Sequence, residues 1–191
     1  MATISVPLPP PPLGNTQLMS RQGTPPLFEA GMSLPEALRK AEKRIHKEED
    51  FYGWLLDQAR MLRTLVMVGT QIDWADLAEE LEGMARNEER SLRSQMERVL
   101  MHLLIWKFQP DMQSRSWKIS IQNGRDEIND LLKTSPSLKS KLKELSDFAY
   151  RKARRTASDE MGCDEDDLPS SCPWDIDEFL DEDFFPHGCT I

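Results

Sequence analysis

Between residues 51 and 157 apolar side chains return at every third or fourth position, and no stretch alternates over the length of a strand. Side chains three and four apart share one face of an α-helix, whereas a half-buried strand needs a period of two. This single periodicity predicts an all-α fold, a helical bundle of about five helices whose apolar stripes meet in one core.

The stripes place the helices. Phe51, Leu55, Ala59, Leu62 and Val66 form one face of a helix that Asp50 opens and Gly69 is positioned to end. The longest pattern starts at Asp73 and carries Trp74, Leu77, Leu81 and Met84, then Leu92, Met96, Val99, Leu103 and Trp106. Unbroken to Phe108 it would span about 54 Å at 1.5 Å per residue. That exceeds the width of a small domain, so a bend or break is expected between Gly83 and Ser91. Pro110 cannot continue it. Trp117, Ile121, Gly124, Ile128 and Leu131 write the next helix, with Ser114 or Ser116 as its cap, ending before Pro136. A last long helix is expected from about Ser137 to Met161. Its stripe holds Ala149, Ala153 and Ala157, which let a neighbour approach closely, and Gly162 follows it.

What precedes and follows this bundle, expected over residues 49–162, is different in kind. Residues 1–32 hold seven of the thirteen prolines and are expected to be a disordered leader. Residues 33–48 suggest a polar helix, opened by a Ser33–Glu36 capping box. Residues 163–191 are expected to be a tail lying across the bundle, because disordered acidic segments rarely carry so many aromatics. Trp174, Phe184 and Phe185 are its candidate anchors.

Charge divides the chain sharply. Of its 33 acidic residues, twelve lie from Asp159 onward, where no Lys or Arg occurs; the first 158 residues carry 24 basic against 21 acidic groups. Eight basic residues crowd between Lys133 and Arg155. A basic helix followed by an acidic tail suggests either a tail that folds back to neutralise it or two surfaces for separate partners; the first is favoured, because tethering concentrates the tail at the helix. The three cysteines, Cys163, Cys172 and Cys189, form no C-x-x-C pair and fit a reducing cytoplasm. No apolar run approaches the roughly 20 residues of a membrane span, and no secretory signal opens the chain.

Several short segments occur in a specific order: Asp50-Phe51-Tyr52-Gly53-Trp54; Ile72 to Glu82; Leu103 to Pro110; Ser114-Arg115-Ser116-Trp117; Cys172-Pro173-Trp174; and Asp183-Phe184-Phe185-Pro186. In this set, over roughly residues 48–186, the chain resembles the bacterial domain-of-unknown-function family number twenty-nine. The resemblance implies an all-helical fold and a bacterial cytoplasmic setting. It implies no reaction and supplies no catalytic residues. The proline-rich leader and its polar helix depart from that family's short start.

Four groups of residues invite chemistry. The carboxylates Asp76, Glu79, Glu80 and Glu82 cluster on one helix, but a dimetal bundle site also needs Glu-x-x-His on two helices, and Val99 stands three before His102. His102 lies in an apolar stripe, where a histidine is usually structural. Gln109, Arg115 and Trp117 flank Pro110, and Arg115 is expected to pair with Glu79 or Glu80 and lock two helices. Glu82 with Arg86, and Glu89 with Arg93, are spaced as helix-surface ion pairs. The basic residues Lys139, Lys143, Arg151, Lys152, Arg154 and Arg155 spread over several helical faces and give no clean phosphate-tracking strip. No nucleophile elbow, phosphate loop or metal-ligand set is written, and no cofactor or metal is expected. The expectation is a non-enzymatic protein-interaction or regulatory module with a protein partner, homo-oligomers allowed. A nucleic-acid-associated or antitoxin-like regulator ranks second, and a metal-dependent enzyme built on the carboxylates third.

Overall fold

The computed structural model describes residues 45–64 and 72–188. The proline-rich leader, most of the polar helix expected over 33–48, Gly69 and Cys189 lie outside the described residues. Within them the chain is all-α. Its helices are α1 (Phe51–Thr64), α2 (Trp74–Phe108), α3 (Arg115–Thr134), α4 (Leu142–Met161) and α5 (Ile176–Leu180), with 3-10 turns at Pro110–Met112, Pro136–Lys141 and Glu165–Asp167.

α2 is the spine. Its 35 residues make a rod of about 53 Å. Asp73 caps it, its Oδ1 accepting from the N–H groups of Ala75 at 3.0 Å and Asp76 at 3.1 Å. The expected break between Gly83 and Ser91 is absent, and the helix runs through both. The reason lies in how its partners divide its length. α1 runs antiparallel to its first half, where Tyr52 donates its hydroxyl to Glu89 and Arg63 forks onto Glu82 at 2.8 and 3.0 Å. α3 runs antiparallel to its second half, and α4 lies parallel to it, with Lys152 reaching Glu97 at 2.9 Å. Two shorter helices placed end to end along one long helix keep both halves covered, so no fold-back is needed.

The junction of α1 with the α3–α4 connection explains the Asp50–Trp54 segment. Asp50 Oδ1 accepts from the Gly53 N–H and from the Ser137 hydroxyl, both at 3.0 Å, and the Tyr52 N–H donates to Ser135 Oγ at 3.2 Å. One carboxylate thus caps α1 and ties it to the turn that opens α4. A Cβ at Gly53 would sit 2.5 Å from Asp50 Oδ2, so a larger residue there would push the capping carboxylate aside.

The core lies where α2, α3 and α4 meet. Leu92, Met96, Val99, Leu100, Leu103 and Leu104 of α2 are fully buried with Ile121 and Ile128 of α3, each such side chain contributing on the order of 2 kcal/mol. The alanine stripe Ala149, Ala153 and Ala157 faces inward, as its spacing predicts. α4 begins at Leu142, five residues later than expected, because Pro136 starts a 3-10 segment that carries Leu138 into the core. Gly162 closes α4 at φ 69°, a left-handed conformation that favours glycine.

The acidic tail packs across this bundle. Leu168, Trp174 and Phe179 enter the core, and Phe184 and Phe185 are half-buried against it. Trp174 meets Phe184 edge-on at 6.1 Å, and Phe185 lies 5.0 Å from the Trp106 ring. The deepest anchor is Phe179, carried by the short helix α5 and buried completely.

Candidate binding groove

The residues singled out beforehand do not converge. Glu79 and Glu80 are exposed on the second turn of α2, whereas Gln109 caps its other end, donating its N–H to the Ile105 carbonyl at 2.9 Å. The separation along the rod is about 44 Å at 1.5 Å per residue. Arg115 opens α3 beside Gln109, is exposed, and forms no ion pair with a described residue. The expected Arg115 pairing with Glu79 or Glu80 is therefore excluded by distance. Trp117 packs half-buried on the core, and its N–H donates to the capping Ser114 Oγ at 3.4 Å. The helix-surface pairs expected for Glu82 and Glu89 are replaced by longer-range ones: Glu82 takes Arg63, and Glu89 takes the Tyr52 hydroxyl.

Those substitutions leave Arg86 and Arg93 without their expected partners, and the consequence is a site. Arg86, Arg90 and Arg93 stand four and three residues apart on one face of α2. Phe148, Arg151 and Arg155 are spaced likewise on α4, which packs alongside. Arg90, Arg93, Ser94 and Glu97 of α2, with Phe148, Arg151, Lys152 and Arg155 of α4, line a concavity of about 600 Å³. A smaller hollow of about 240 Å³, lined by Arg86, Glu89, Arg90, Arg93 and Leu145, continues it.

Both carboxylates along this seam are already engaged, Glu97 by Lys152 and Glu89 by Tyr52. Arg93, Arg151 and Arg155 form no ion pair with a described residue. Phe148 is 48% exposed, and the Arg151 guanidinium lies 4.4 Å from its ring centroid. The groove thus offers planar guanidinium forks, one hydroxyl and one aromatic face. Such forks match carboxylate and phosphate oxygens bidentately.

The tail does not fill this groove. Its side-chain hydrogen bonds to α4, among described residues, run through Tyr150, whose hydroxyl donates to the Pro169 carbonyl at 2.7 Å, and Arg154. Arg154 donates to the Leu168 carbonyl at 3.2 Å and pairs with Glu165 at 3.0 Å and Asp166 at 3.2 Å. Among described residues, Arg154 is the one basic residue of α4 that forms ion pairs with the tail, so the neutralisation expected from the charge order reaches that helix through it.

Sequence reasoning missed a second arginine. Arg125 of α3 is 1% exposed and donates to three tail carbonyls: Phe179 at 2.9 Å, Glu182 at 3.2 Å and Phe184 at 2.8 Å. Burial pulls its pKa down, and Asp181 and Glu182 act against that pull. It fastens the tail. Elsewhere burial pushes the His102 pKa down and the Cys172 thiol up. Among the described residues no three His, Cys, Asp or Glu side chains group as a metal site, and no helix is long and apolar enough to cross a membrane.

Spine, end-to-end partner helices and a strapped acidic tail define an all-α bundle with a basic seam. The family described as Domain of unknown function DUF29 matches residues 47–185, and the chain belongs to it. An alpha-helical protein of unknown function from Rhodospirillum rubrum, known from its crystal structure, is similar. The two are 25% identical with a TM-score of 0.60, over 74% of this chain and 93% of that one. No curated protein matches.

Proposed function

We propose that the chain is a non-enzymatic cytoplasmic interaction module whose α2–α4 seam docks an acidic segment of a protein partner. The observation that supports this is the set Arg93, Arg151 and Arg155, which form no ion pair with a described residue, gathered around an exposed Phe148 in one concavity. Arginine and aromatic side chains are the commonest strong contributors at protein interfaces. Their coexistence suits a segment in which carboxylates alternate with an apolar residue. Concave shape adds to charge here, since a flat basic face binds anions without selecting a sequence.

A single-stranded nucleic acid is the second reading, favoured by the stacked Phe148–Arg151 pair, which resembles a base-stacking platform beside phosphate contacts. The net charge of −9 opposes a long polyanion. Fluorescence anisotropy separates the two, with an Asp/Glu-rich peptide bearing one leucine, its neutral Asn/Gln counterpart and a short oligonucleotide as probes. The acidic peptide is expected to bind, and Arg93→Gln with Arg151→Gln to weaken it at least tenfold, about 1.4 kcal/mol. Equal binding of the neutral peptide, or indifference to the double substitution, would refute the proposal. Preferential binding of the oligonucleotide would replace it with the second reading.

A further inference from the structure

The acidic surface that best complements this groove belongs to the molecule itself. Asp175, Asp177, Glu178, Asp181, Glu182 and Asp183 are all exposed on the tail, and none forms an ion pair with a described residue. They are presented on fixed backbone. Arg125 holds the carbonyls of Phe179, Glu182 and Phe184, and the capping box of Asp175 with Glu178 opens α5. Buried Trp174 and Phe179 pin the same segment from below.

That pinning decides where the carboxylates can go. On α4 the tail is held through Tyr150 and Arg154, while the groove is lined by Phe148, Arg151 and Arg155. At 100° per residue these two faces are roughly a third of a turn apart. To reach the groove of its own chain the tail would have to leave Arg125 and withdraw Phe179 from the core. Held in this way, the tail carboxylates form no ion pair with the groove arginines of their own chain among the described residues.

We propose that the groove is occupied by the acidic tail of a second copy of this chain. This rests on the assignment of the α2–α4 seam as a site for acidic protein segments and names its occupant. The contact is heterologous, groove on one copy and tail on the next, so each added copy leaves one free surface of each kind. Growth then proceeds with concentration until a ring closes or the supply ends. The net charge of −9 on every copy opposes approach at long range, but at about 0.15 M salt screening acts beyond about 8 Å and leaves the close arginine–carboxylate contacts in force.

Sedimentation equilibrium of the full chain over a wide concentration range tests this. At about 0.15 M salt the weight-average mass is expected to rise above the monomer mass with concentration, and at about 1 M salt to return to it. A groove variant, Arg93→Gln with Arg151→Gln, and a tail variant, Glu178→Gln with Asp181→Asn, are each expected to weaken association at least tenfold. Mixed, they are expected to give a one-to-one complex and nothing larger, because only one intact groove meets only one intact tail. All four substitutions are at exposed positions, and circular dichroism checks that the fold is kept. Association indifferent to both variants overturns the proposal, as does a mixture that stays monomeric. A chain that remains monomeric yet captures the acidic peptide in an Arg93- and Arg151-dependent manner overturns self-occupancy alone and leaves the groove assignment standing. A chain that does neither overturns both.

Discussion

A guanidinium carries five N–H donors and no acceptor, so a buried arginine must find oxygens around its whole edge. Arg125 finds three, all tail carbonyls, while its face lies 5.4 Å from the Phe185 ring. Replacing it by methionine keeps the bulk and strands the three carbonyls. Arg125→Met is therefore expected to cost about 3 kcal/mol or more in urea unfolding, with lysine at that position restoring only part because it lacks the fork. His102 gives a different test. Its Nδ1 has no hydrogen-bond partner among described residues, and burial holds its folded pKa below the unfolded one. The unfolded chain then binds the proton more readily, so stability present above about pH 6.5 is lost as the pH falls through the folded pKa. His102→Gln should flatten that part of the stability profile between neutral and mildly acidic pH. A variant that loses stability as steeply as the parent would contradict this. The apolar stripe around His102 suggested a core position, whereas the residue is half-buried at the margin of the core. Arg125 was not legible as a core position: the charged residue beside it, Asp126, signals surface, and what buries it arrives from 54 to 59 residues away.

At the scale of elements, periodicity fixed most helix positions because each stripe must face a partner, and the caps at Asp50, Asp73 and Ser114 set where three of them start. It also called for an interruption that α2 does not have, since the stripe alone does not show that α1 and α3 share one long neighbour. α5 also escaped notice; five residues are too few for a period to show. The groove was partly visible as arginines at positions 86, 90 and 93, but local spacing assigned two of them to Glu82 and Glu89, which bind elsewhere. The α2–α3 crossing supplies a sharp test. A Cβ at Gly124 would lie 2.6 Å from Val99 Cγ2. Gly124→Ala gains up to about 1 kcal/mol of helix propensity yet should be destabilising by about 1–3 kcal/mol from the clash. Val99→Ala, itself destabilising as a cavity, should relieve that clash, giving a favourable coupling in a double-mutant cycle of thermal unfolding. Additive effects would mean that the helices do not meet there.

Across the described residues as a whole, the all-α class and the tail's aromatic docking followed from composition and pattern, because acidic disorder rarely carries Trp174, Phe184 and Phe185 together, although the most deeply buried anchor is Phe179. Which basic groups the tail would meet did not follow, since that depends on the angle at which it leaves Gly162. The tail completes the bundle rather than decorating it: Leu168, Trp174 and Phe179 are buried in the same cluster as the α2 leucines. Ending the chain after Met161 should therefore leave the helices associated but loosely packed, with retained far-ultraviolet dichroism, weakened near-ultraviolet signal and increased dye binding to apolar surface. Native-like near-ultraviolet spectra from the shortened chain would show that the core closes without it.

The order in which the chain leaves the ribosome gives the strap a further consequence. Helices α1 to α4 emerge first, with the core surface that Leu168, Trp174 and Phe179 cover still open and Arg125 still wet. Only when the segment through Phe184 is free is that surface covered, so the nascent protein is exposed to proteases and chaperones until this late step. A polypeptide interrupted during synthesis is thus marked as unfinished by the same hydrogen bonds that stabilise the finished one.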